Sequence, residues 1–449
     1  MVAARSVLQS EPHRERRRFF RAPMIARIRN SDLVRHGAIA FAGVVIASAA
    51  NYLFYILISR RAGVETYGVV TSLISAILVL SAPATVVQLI AARLAADLEA
   101  RGDVAALRKL SDGVTLWTAA FAAVFVVAGV LARQPLADFF HLTSAGPIVI
   151  SAITFGLLTI VTAQRGVLQG AHHFGDFSAS QALDGITKLA VGVPLVVPFG
   201  ASGGLLGLAA SQAVALAYSL YAFRARFGML RAPLALDRKL IARVVSHVGL
   251  GQITFTVLAF YDVPLIKHAF DARTAGLYAA ASLVGRALLA ILSFVPIVIM
   301  PKATARAAAG HSPLPMLGAA LGLSVAVVGV AVLAGWIDPT AVITLIAGRA
   351  FGGAAPIVLP YLIADGALAL ANVVAAYKMG LHRYDFVIPA LAVAALEITT
   401  FAFWHPTLMA AVFVLLAGHV ALLCVTLFRL NAPANVIVRS VNPTAGVSL

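Results

Sequence analysis

Twelve apolar stretches follow one another along this chain, and each is long enough to cross a lipid bilayer. They are roughly 18 to 25 residues long, and about 20 helical residues, rising 1.5 Å each, cross the ~30 Å hydrocarbon core. Lipid offers no partner to a bare N–H or C=O group, so spanning segments are helices or closed barrels. The continuous apolarity excludes the alternating strands of a barrel. The predicted spans are 37–59, 67–91, 113–132, 147–169, 179–199, 203–223, 248–268, 275–300, 314–335, 354–377, 386–404 and 406–428.

A short motif occurs once in each half of the chain. Gly170-Ala-His-His-Phe-Gly-Asp-Phe returns as Gly380-Leu-His-Arg-Tyr-Asp-Phe, 210 positions later, and Gly68 has a counterpart 208 positions later in Gly276. A near-constant offset indicates an internal repeat. Six helices per copy is an even number, so both copies enter the membrane from the same side. In the motif, the glycine is expected to end one helix and the aspartate to begin the next.

The composition agrees with this architecture, because 61% of the residues are hydrophobic and only 12% are charged, more apolar surface than a soluble chain can hide. We therefore predict an all-α polytopic membrane protein, with twelve transmembrane helices in two parallel six-helix lobes around a central cavity. The predicted domains are a basic cytoplasmic N-terminal arm (1–36), an N-lobe (37–223), an inter-lobe linker (224–247), a C-lobe (248–428) and a cytoplasmic tail (429–449).

The Lys and Arg residues outside the spans predict the orientation. With the N-terminal arm inside, the cytoplasmic segments hold 25 of them and the opposite joints hold five, and cationic segments near a span resist translocation. Both termini are therefore predicted to be cytoplasmic. Most of the net charge of +16 is expected to lie at the leaflet that carries anionic lipid. A nucleic-acid partner is therefore not expected.

Ionisable residues at bilayer depth are the best candidates for function, because they usually face a cavity or one another. Asp184 and Lys188 are four apart, so they either pair within one helix or take a ligand or proton role. Arg286 has no acidic neighbour in sequence. Its compensation is either Asp262 of the preceding helix or a bound anion such as a diphosphate, whose oxygens suit the guanidinium fork.

Three carboxylates, Asp262, Asp365 and Glu397, lie within or near the ends of C-lobe spans. A carboxyl group held at low dielectric can exchange a proton near neutral pH, so these residues are candidates for ion coupling together with Asp184 and Lys188. The alternative for each is an ordinary hydrogen bond between helices.

Amides add neutral polar groups to the first two spans. Asn51 and Gln88 are candidates for binding a sugar, because an amide both donates and accepts, although interhelical hydrogen bonds are the commoner use of such residues. His172, His173 and His382 lie in turns without a pair of acidic residues to complete a metal shell. Neither a metal site nor a cofactor is expected.

The stretch from Asn51 to Gly68, with Arg60, Arg61 and a closing Tyr-Gly, resembles the opening of bacterial polysaccharide and oligosaccharide flippases. Arg165-Gly-Val-Leu-Gln-Gly170, and Asp262 followed by Ala275-Gly-Leu-Tyr278, resemble later parts of the same family. This family belongs to the multidrug/oligosaccharidyl-lipid/polysaccharide exporter superfamily.

The resemblance implies a transporter and not an enzyme. It implies translocation of a polyprenyl-diphosphate-linked saccharide to the outer leaflet of a bacterial plasma membrane, with polysaccharide assembly proteins as further partners. It also implies a cationic cavity between the lobes, to which Arg60, Arg61, Arg165 or Arg286 would contribute. A drug or metabolite antiporter of the same frame, a membrane-embedded polymerase or glycosyltransferase, and a non-transporting scaffold are the alternatives.

Overall fold

The computed structural model describes residue 43, residues 45–227 and residues 248–430. The predicted basic arm at 1–36, the start of the first predicted span, linker residues 228–247 and the tail from residue 431 lie outside these ranges. The predicted domain limits at those places therefore stay predictions. Within the described ranges the chain is helical, with no strand.

The α-helices are numbered here in chain order. A π-helical segment, Lys188–Gly192, joins α7 to α8, and a 3₁₀ segment, Arg349–Ala354, precedes α15. The helices are α1 (45–62), α2 (Val64–Leu80), α3 (Ala82–Ala100), α4 (Val104–Leu131), α5 (Arg133–Phe139), α6 (Gly146–Gly170), α7 (Phe174–Thr187), α8 (Val193–Phe227), α9 (Leu250–Leu258), α10 (Asp262–Ala269), α11 (Ala272–Leu292), α12 (Phe294–Ala308), α13 (Leu314–Ile337), α14 (Pro339–Ile346), α15 (Ala355–Gly380), α16 (Val387–Phe403) and α17 (Leu408–Leu427).

Several crossings are broken helices, which is why length alone undercounts them. By length and apolar composition, seven described helical segments can span a bilayer, and the α2–α3 pair, bent by 46°, is an eighth. The remaining predicted crossings are α1, the interrupted pair α9–α10, the 17-residue α16, and a second crossing within the segment from α7 to α8. The all-α, twelve-helix fold predicted from the sequence is confirmed.

Two crossings are contained in the continuous helical segment Phe174–Phe227. Its 54 residues would extend about 80 Å if straight, far more than a bilayer. The chain turns back at Gly200, whose φ of 54° is a conformation that suits glycine. The two arms then pack at backbone distance, since Gly207 lies against the Cα of Gly192.

The repeated motif has the same backbone conformation in both lobes. His172 and His382 both have positive φ, 59° and 55°, in the turns that follow α6 and α15. The glycines of the motif have a different role from the one expected. Gly170 and Gly380 are helical and lie against the carbonyl oxygens of Ala92 and Met300, where a side chain would not fit. The prediction that glycine provides the helix stop is therefore wrong: histidine takes the left-handed position, and glycine permits close helix packing.

The aspartates of the motif link each turn, directly or through a lysine, to the last helix of its lobe. Asp176 lies in the first turn of α7 and pairs with Arg226 of α8 at 3.0 Å. In the C-lobe, Asp385 precedes α16 and pairs with Lys378 at 3.0 Å. Lys378 also donates to the carbonyl of Phe428 just beyond α17, at 2.6 Å. These contacts give the motif a similar structural role in both halves.

Adding a methyl group at Gly207 should destabilise the fold. A Cβ at residue 207 would approach the Cα of Gly192 to less than 3.0 Å, and such overpacking typically costs about 1–3 kcal/mol. We expect Gly207→Ala to lower the midpoint of thermal unfolding of the detergent-solubilised protein, measured by size-exclusion chromatography after heating.

The matched control is Gly318→Ala in α13, where an added Cβ meets no atom within 4 Å. It should leave the unfolding midpoint unchanged or slightly higher, because alanine favours helix more than glycine does. Equal midpoints for Gly207→Ala and Gly318→Ala would contradict the close packing of the two arms.

Candidate functional site

A cavity of about 500 Å³ lies between the two lobes. Helices α1, α2, α6, α7 and α8 line it from the N-lobe, and α11 with the segment at residues 259–260 lines it from the C-lobe. Most of its wall is apolar, and its polar side chains converge from several helices. The polar lining residues are Ser48, Asn51, Tyr52, Tyr55, Tyr67, Thr71, Thr154, Arg165, Gln181, Asp184, Lys188, Gln212, Ser282 and Arg286.

The N-lobe side of the cavity contains a buried ion pair between neighbouring helices. Arg165 of α6 pairs with Asp184 of α7 at 3.3 Å, and its Nε donates to Ser180 Oγ at 3.0 Å. The other carboxylate oxygen of Asp184 accepts from Ser211 Oγ at 2.8 Å and from Gln212 Nε2 at 2.9 Å. Both oxygens of Asp184 are thus bonded by groups from other helices.

Lys188 lies at the start of the π-helical segment and lines the same cavity. Its ammonium donates to the side-chain oxygen of Asn51 on α1 and lies over the ring of Phe54. The intrahelical pair with Asp184 is not formed, and that interpretation was wrong. Asp184 pairs with Arg165 instead. Lys188 begins the wider π-helical turn and contacts α1. No carboxylate in the described chain lies within 4.0 Å of its ammonium.

Arg286 joins the lobes at the wall of the cavity. Its Nη2 pairs with Asp262 Oδ1 at 3.0 Å, its Nη1 donates to Ser75 Oγ of α2 at 3.0 Å, and its Nε donates to the carbonyl of Ala259 at 3.2 Å. The guanidinium also lies 4.7 Å from the ring centre of Phe260. Of the two compensations considered from the sequence, the pair with Asp262 is therefore present.

The two remaining candidate carboxylates of the C-lobe, Asp365 and Glu397, form a separate buried cluster that does not line the cavity. Tyr261 donates to Glu397 Oε1 at 2.7 Å, and His419 of α17 lies between Glu397, at 3.5 Å, and Asp365, at 3.8 Å. The second oxygens of Asp365 and Glu397 have no hydrogen-bond partner among the described residues. Sequence reasoning missed His419, although a lone histidine inside an apolar span is the kind of residue that the same reasoning selects.

Three other candidates lie away from the cavity. Arg60 and Arg61 are exposed in the last turn of α1, where Arg60 donates to the carbonyl of Leu345 at 2.6 Å. Gln88 lies on α3, beyond the α2–α3 bend, and its amide contacts Gln169 at 3.4 Å. The structure therefore does not bring these three into the cavity, because each stands near a helix end or faces a neighbouring helix.

Charge in the cavity is predominantly positive. Arg165, Lys188 and Arg286 line it, against the single carboxylate of Asp184. Asp262, behind Arg286, is almost fully buried and does not line the cavity. Within the described ranges, no three His, Cys, Asp or Glu side chains are placed to hold a metal ion.

The lobes meet near one end of the cavity. This end faces the turns at residues 63, 200 and 270–271, and we call it the predicted outer face. Gly68 lies against the backbone of Gly276, and the ring of Tyr67 packs edge-on against Phe351, with centroids 5.4 Å apart. A smaller apolar contact joins α3 to Ile253 of α9.

Comparison with known proteins gives matches among solved structures. The chain aligns with an inward-facing multidrug resistance MATE family transporter of the MOP superfamily with a TM-score of 0.66 at 12% identity, covering 87% of this chain and 95% of that one. It aligns with the lipid II flippase MurJ in an inward closed conformation with a TM-score of 0.62 at 11% identity, covering 88% and 87%. An outward-facing MATE transporter gives 0.61 at 12% identity, covering 88% and 92%.

No protein-family model and no curated protein matches the sequence. The structural matches show that the chain has the fold of MOP superfamily transporters. This supports the predicted two-lobed arrangement around a central cavity.

Removing the charge of Asp262 should destabilise the contact between the lobes. Asp262→Asn keeps the shape of the side chain but leaves Arg286 without its carboxylate, and breaking a buried pair in this way typically costs about 3–5 kcal/mol. We expect a lower midpoint of thermal unfolding in detergent for this variant.

The double variant with Asp262→Asn and Arg286→Met is the control, since it removes both charges. It should unfold at a higher temperature than Asp262→Asn alone. If Asp262→Asn unfolds at the wild-type temperature, the ion pair does not have the structural role described.

Proposed function

We propose that the protein translocates a polyprenyl-diphosphate-linked saccharide across the bacterial plasma membrane by alternating access, for polysaccharide export or assembly. The observation that carries the proposal is the positive cavity, and within it the ammonium of Lys188, which has no carboxylate of the described chain within ion-pair distance. A diphosphate supplies that negative charge, and charge-assisted hydrogen bonds to phosphate oxygens are strong.

The physical need for such a cavity comes from the head group. A doubly phosphorylated group cannot enter hydrocarbon without a large loss of solvation. A polar cavity between two lobes gives the diphosphate cationic partners while the polyprenyl chain remains in lipid. Arg165 and Arg286 are held by carboxylates, so they contribute positive potential, and Lys188 is the direct ligand in this proposal.

The shared fold supports two functions, because one structural neighbour is described as a lipid II flippase and others as multidrug resistance transporters. An ion-coupled drug or metabolite antiporter for organic cations would need an accessible acidic group in its cavity. The one carboxylate lining this cavity, Asp184, is bonded by Arg165, Ser211 and Gln212. The sign of the cavity therefore favours an anionic lipid over an organic cation.

We further propose that the cluster of Asp365, Glu397 and His419 is the site of proton coupling. These groups come from three C-lobe helices, α15, α16 and α17, and two of their carboxylate oxygens have no bonded partner among the described residues. Proton uptake there would change the charge that holds the three helices together. Asp262 is a separate buried carboxylate, to which Tyr278 and Tyr361 both donate.

The proposed location is the bacterial inner membrane with both termini in the cytoplasm, which rests on the distribution of Lys and Arg between the joints. In that orientation the lobes of the structure meet on the outer side. Polysaccharide assembly proteins are proposed as partners only through the resemblance of the sequence to flippases.

Neutralising Lys188 should slow translocation of the lipid. We expect Lys188→Met to reduce the rate roughly tenfold or more, because a hydrogen bond to a charged group contributes about 1.5–3 kcal/mol. The measurement uses proteoliposomes containing a fluorescent polyprenyl-diphosphate saccharide, with transbilayer movement followed by quenching from one side.

Lys302→Met is the matched control, because Lys302 is exposed on α12 and does not line the cavity. It should translocate at the wild-type rate. A wild-type protein that fails to accelerate lipid movement would falsify the proposed function, and an unimpaired Lys188→Met would remove that residue from it.

Proton coupling predicts a specific interaction between gradient and mutation. Collapsing the proton gradient should slow wild-type translocation, whereas Glu397→Gln should be slow with or without a gradient because it cannot release a proton. Glu65→Gln, which alters an exposed glutamate at the start of α2, should behave as wild type. Identical rates for wild type and Glu397→Gln in both conditions would end the proton hypothesis.

A further inference from the structure

Two hydroxyl groups at the predicted outer end of the cavity are buried without a completed hydrogen bond. They are Tyr67 Oη and Thr71 Oγ1, on residues that are 0% and 2% exposed, and both residues line the cavity. The side chains are near enough to interact with each other, yet neither oxygen reaches hydrogen-bond geometry with any described group. A buried polar group left unsatisfied costs about 1–3 kcal/mol, so such groups are rare and call for a partner.

The positions of the unsatisfied atoms distinguish this pair from the others. Three such atoms belong to the Asp365–Glu397–His419 cluster, and those of Arg108 and Ser151 do not line the cavity. The remaining one, Gln212 Oε1, lines the cavity beside Asp184. The outer end of the cavity thus has neutral hydrogen-bonding capacity that the protein itself does not use.

The chemistry of this end differs from that of the cationic part. Tyr55 also lines it from α1, and its hydroxyl makes no hydrogen bond within the described chain. Hydroxyl groups of Tyr and Thr both donate and accept, as sugar hydroxyls do, and aromatic rings offer apolar faces to the C–H surface of a pyranose. A charged ligand would find no counter-charge among these three side chains.

The order of groups across the membrane matches the order of groups in the proposed substrate. Counted along the helices at 1.5 Å per residue from the turns of the predicted outer face, Tyr67 lies about 6 Å deep, and Tyr55 and Thr71 about 12 Å deep. On the same scale Lys188 lies about 18 Å deep, and Arg165, counted from the start of α6 at Gly146, about 28 Å deep. When a lipid enters from the inner leaflet, its diphosphate reaches the cations. The group attached to the diphosphate then reaches the hydroxyls.

We infer that Tyr55, Tyr67 and Thr71 form a subsite that hydrogen-bonds the first sugar attached to the diphosphate. This inference rests on the proposed function, and it assigns the recognition of sugar to residues other than Asn51 and Gln88. Asn51 is engaged by Lys188, and Gln88 lies outside the cavity. The subsite is neutral and lies directly beneath the contact of Tyr67 with Phe351.

The test compares two probes on purified protein: polyprenyl diphosphate, and the same lipid carrying one hexose. Wild type should bind the hexose-bearing lipid more tightly. Tyr67→Phe and Thr71→Val each remove one hydroxyl with almost no change of shape. Each should reduce the preference for the hexose-bearing lipid by about 2- to 12-fold, the equivalent of one hydrogen bond, and leave the affinity for the sugar-free lipid unchanged.

Two further variants separate the inference from the proposed function. Lys188→Met should weaken both lipids by the same factor, and Tyr221→Phe, which removes a hydroxyl from a 70% exposed tyrosine, should change neither affinity. Equal binding of the two lipids by wild type, or an unchanged preference in both Tyr67→Phe and Thr71→Val, would overturn the subsite while leaving the diphosphate proposal intact. If wild type binds neither lipid, both proposals fail.

Discussion

The compensation of Arg286 is the constraint on which the two-lobed structure depends. A guanidinium at bilayer depth must be paired, because lipid cannot solvate it. Here Asp262 supplies the charge, and the interruption between α9 and α10 leaves the carbonyl of Ala259 free to accept. The third partner, Ser75, belongs to the other lobe. One buried cation therefore bonds the interruption of the broken helix, contributes to the joining of the lobes and gives the cavity positive potential.

Much of the fold is predictable because its determinants are local or repeated. Apolar runs of bilayer length define the crossings, and the near-constant offset between the halves defines the lobes. The Arg286–Asp262 pair was one of two open alternatives. The contact of Lys188 with Asn51 was not predictable, because the spacing to Asp184 indicates a helical pair and nothing in the sequence marks the π-helical turn. Likewise, Gly170 and Gly380 stand at helix ends, yet packing against Ala92 and Met300 explains them better than helix termination.

The carboxylate cluster was not predicted, because its residues are brought together from helices that are far apart in the sequence. Asp365, Glu397 and His419 were separate polar residues in separate spans, and no spacing rule relates positions on different helices. The packing of α15 against α17 and of α16 against α17 brings them together. Conversely, Arg60 and Arg61 carry the family resemblance but are exposed at a helix end. Similarity to a motif thus indicated the architecture, whereas the residues that line the cavity can be identified only from the three-dimensional structure.

The cavity and the cluster of Asp365, Glu397 and His419 are physically connected, although no residue belongs to both. The side chain of Asp365 lies against the backbone of Gly285, where even a methyl group would not fit, and Gly285 precedes Arg286 in α11. In the proposed cycle, a change of charge at Asp365 therefore acts on the helix that carries the inter-lobe cation. In that proposed cycle, substrate and proton would not compete for one residue, since the carboxylate cluster does not line the cavity. Coupling then has to pass through the position of α11, which contacts α2 at the predicted outer face through Gly276 and Gly68.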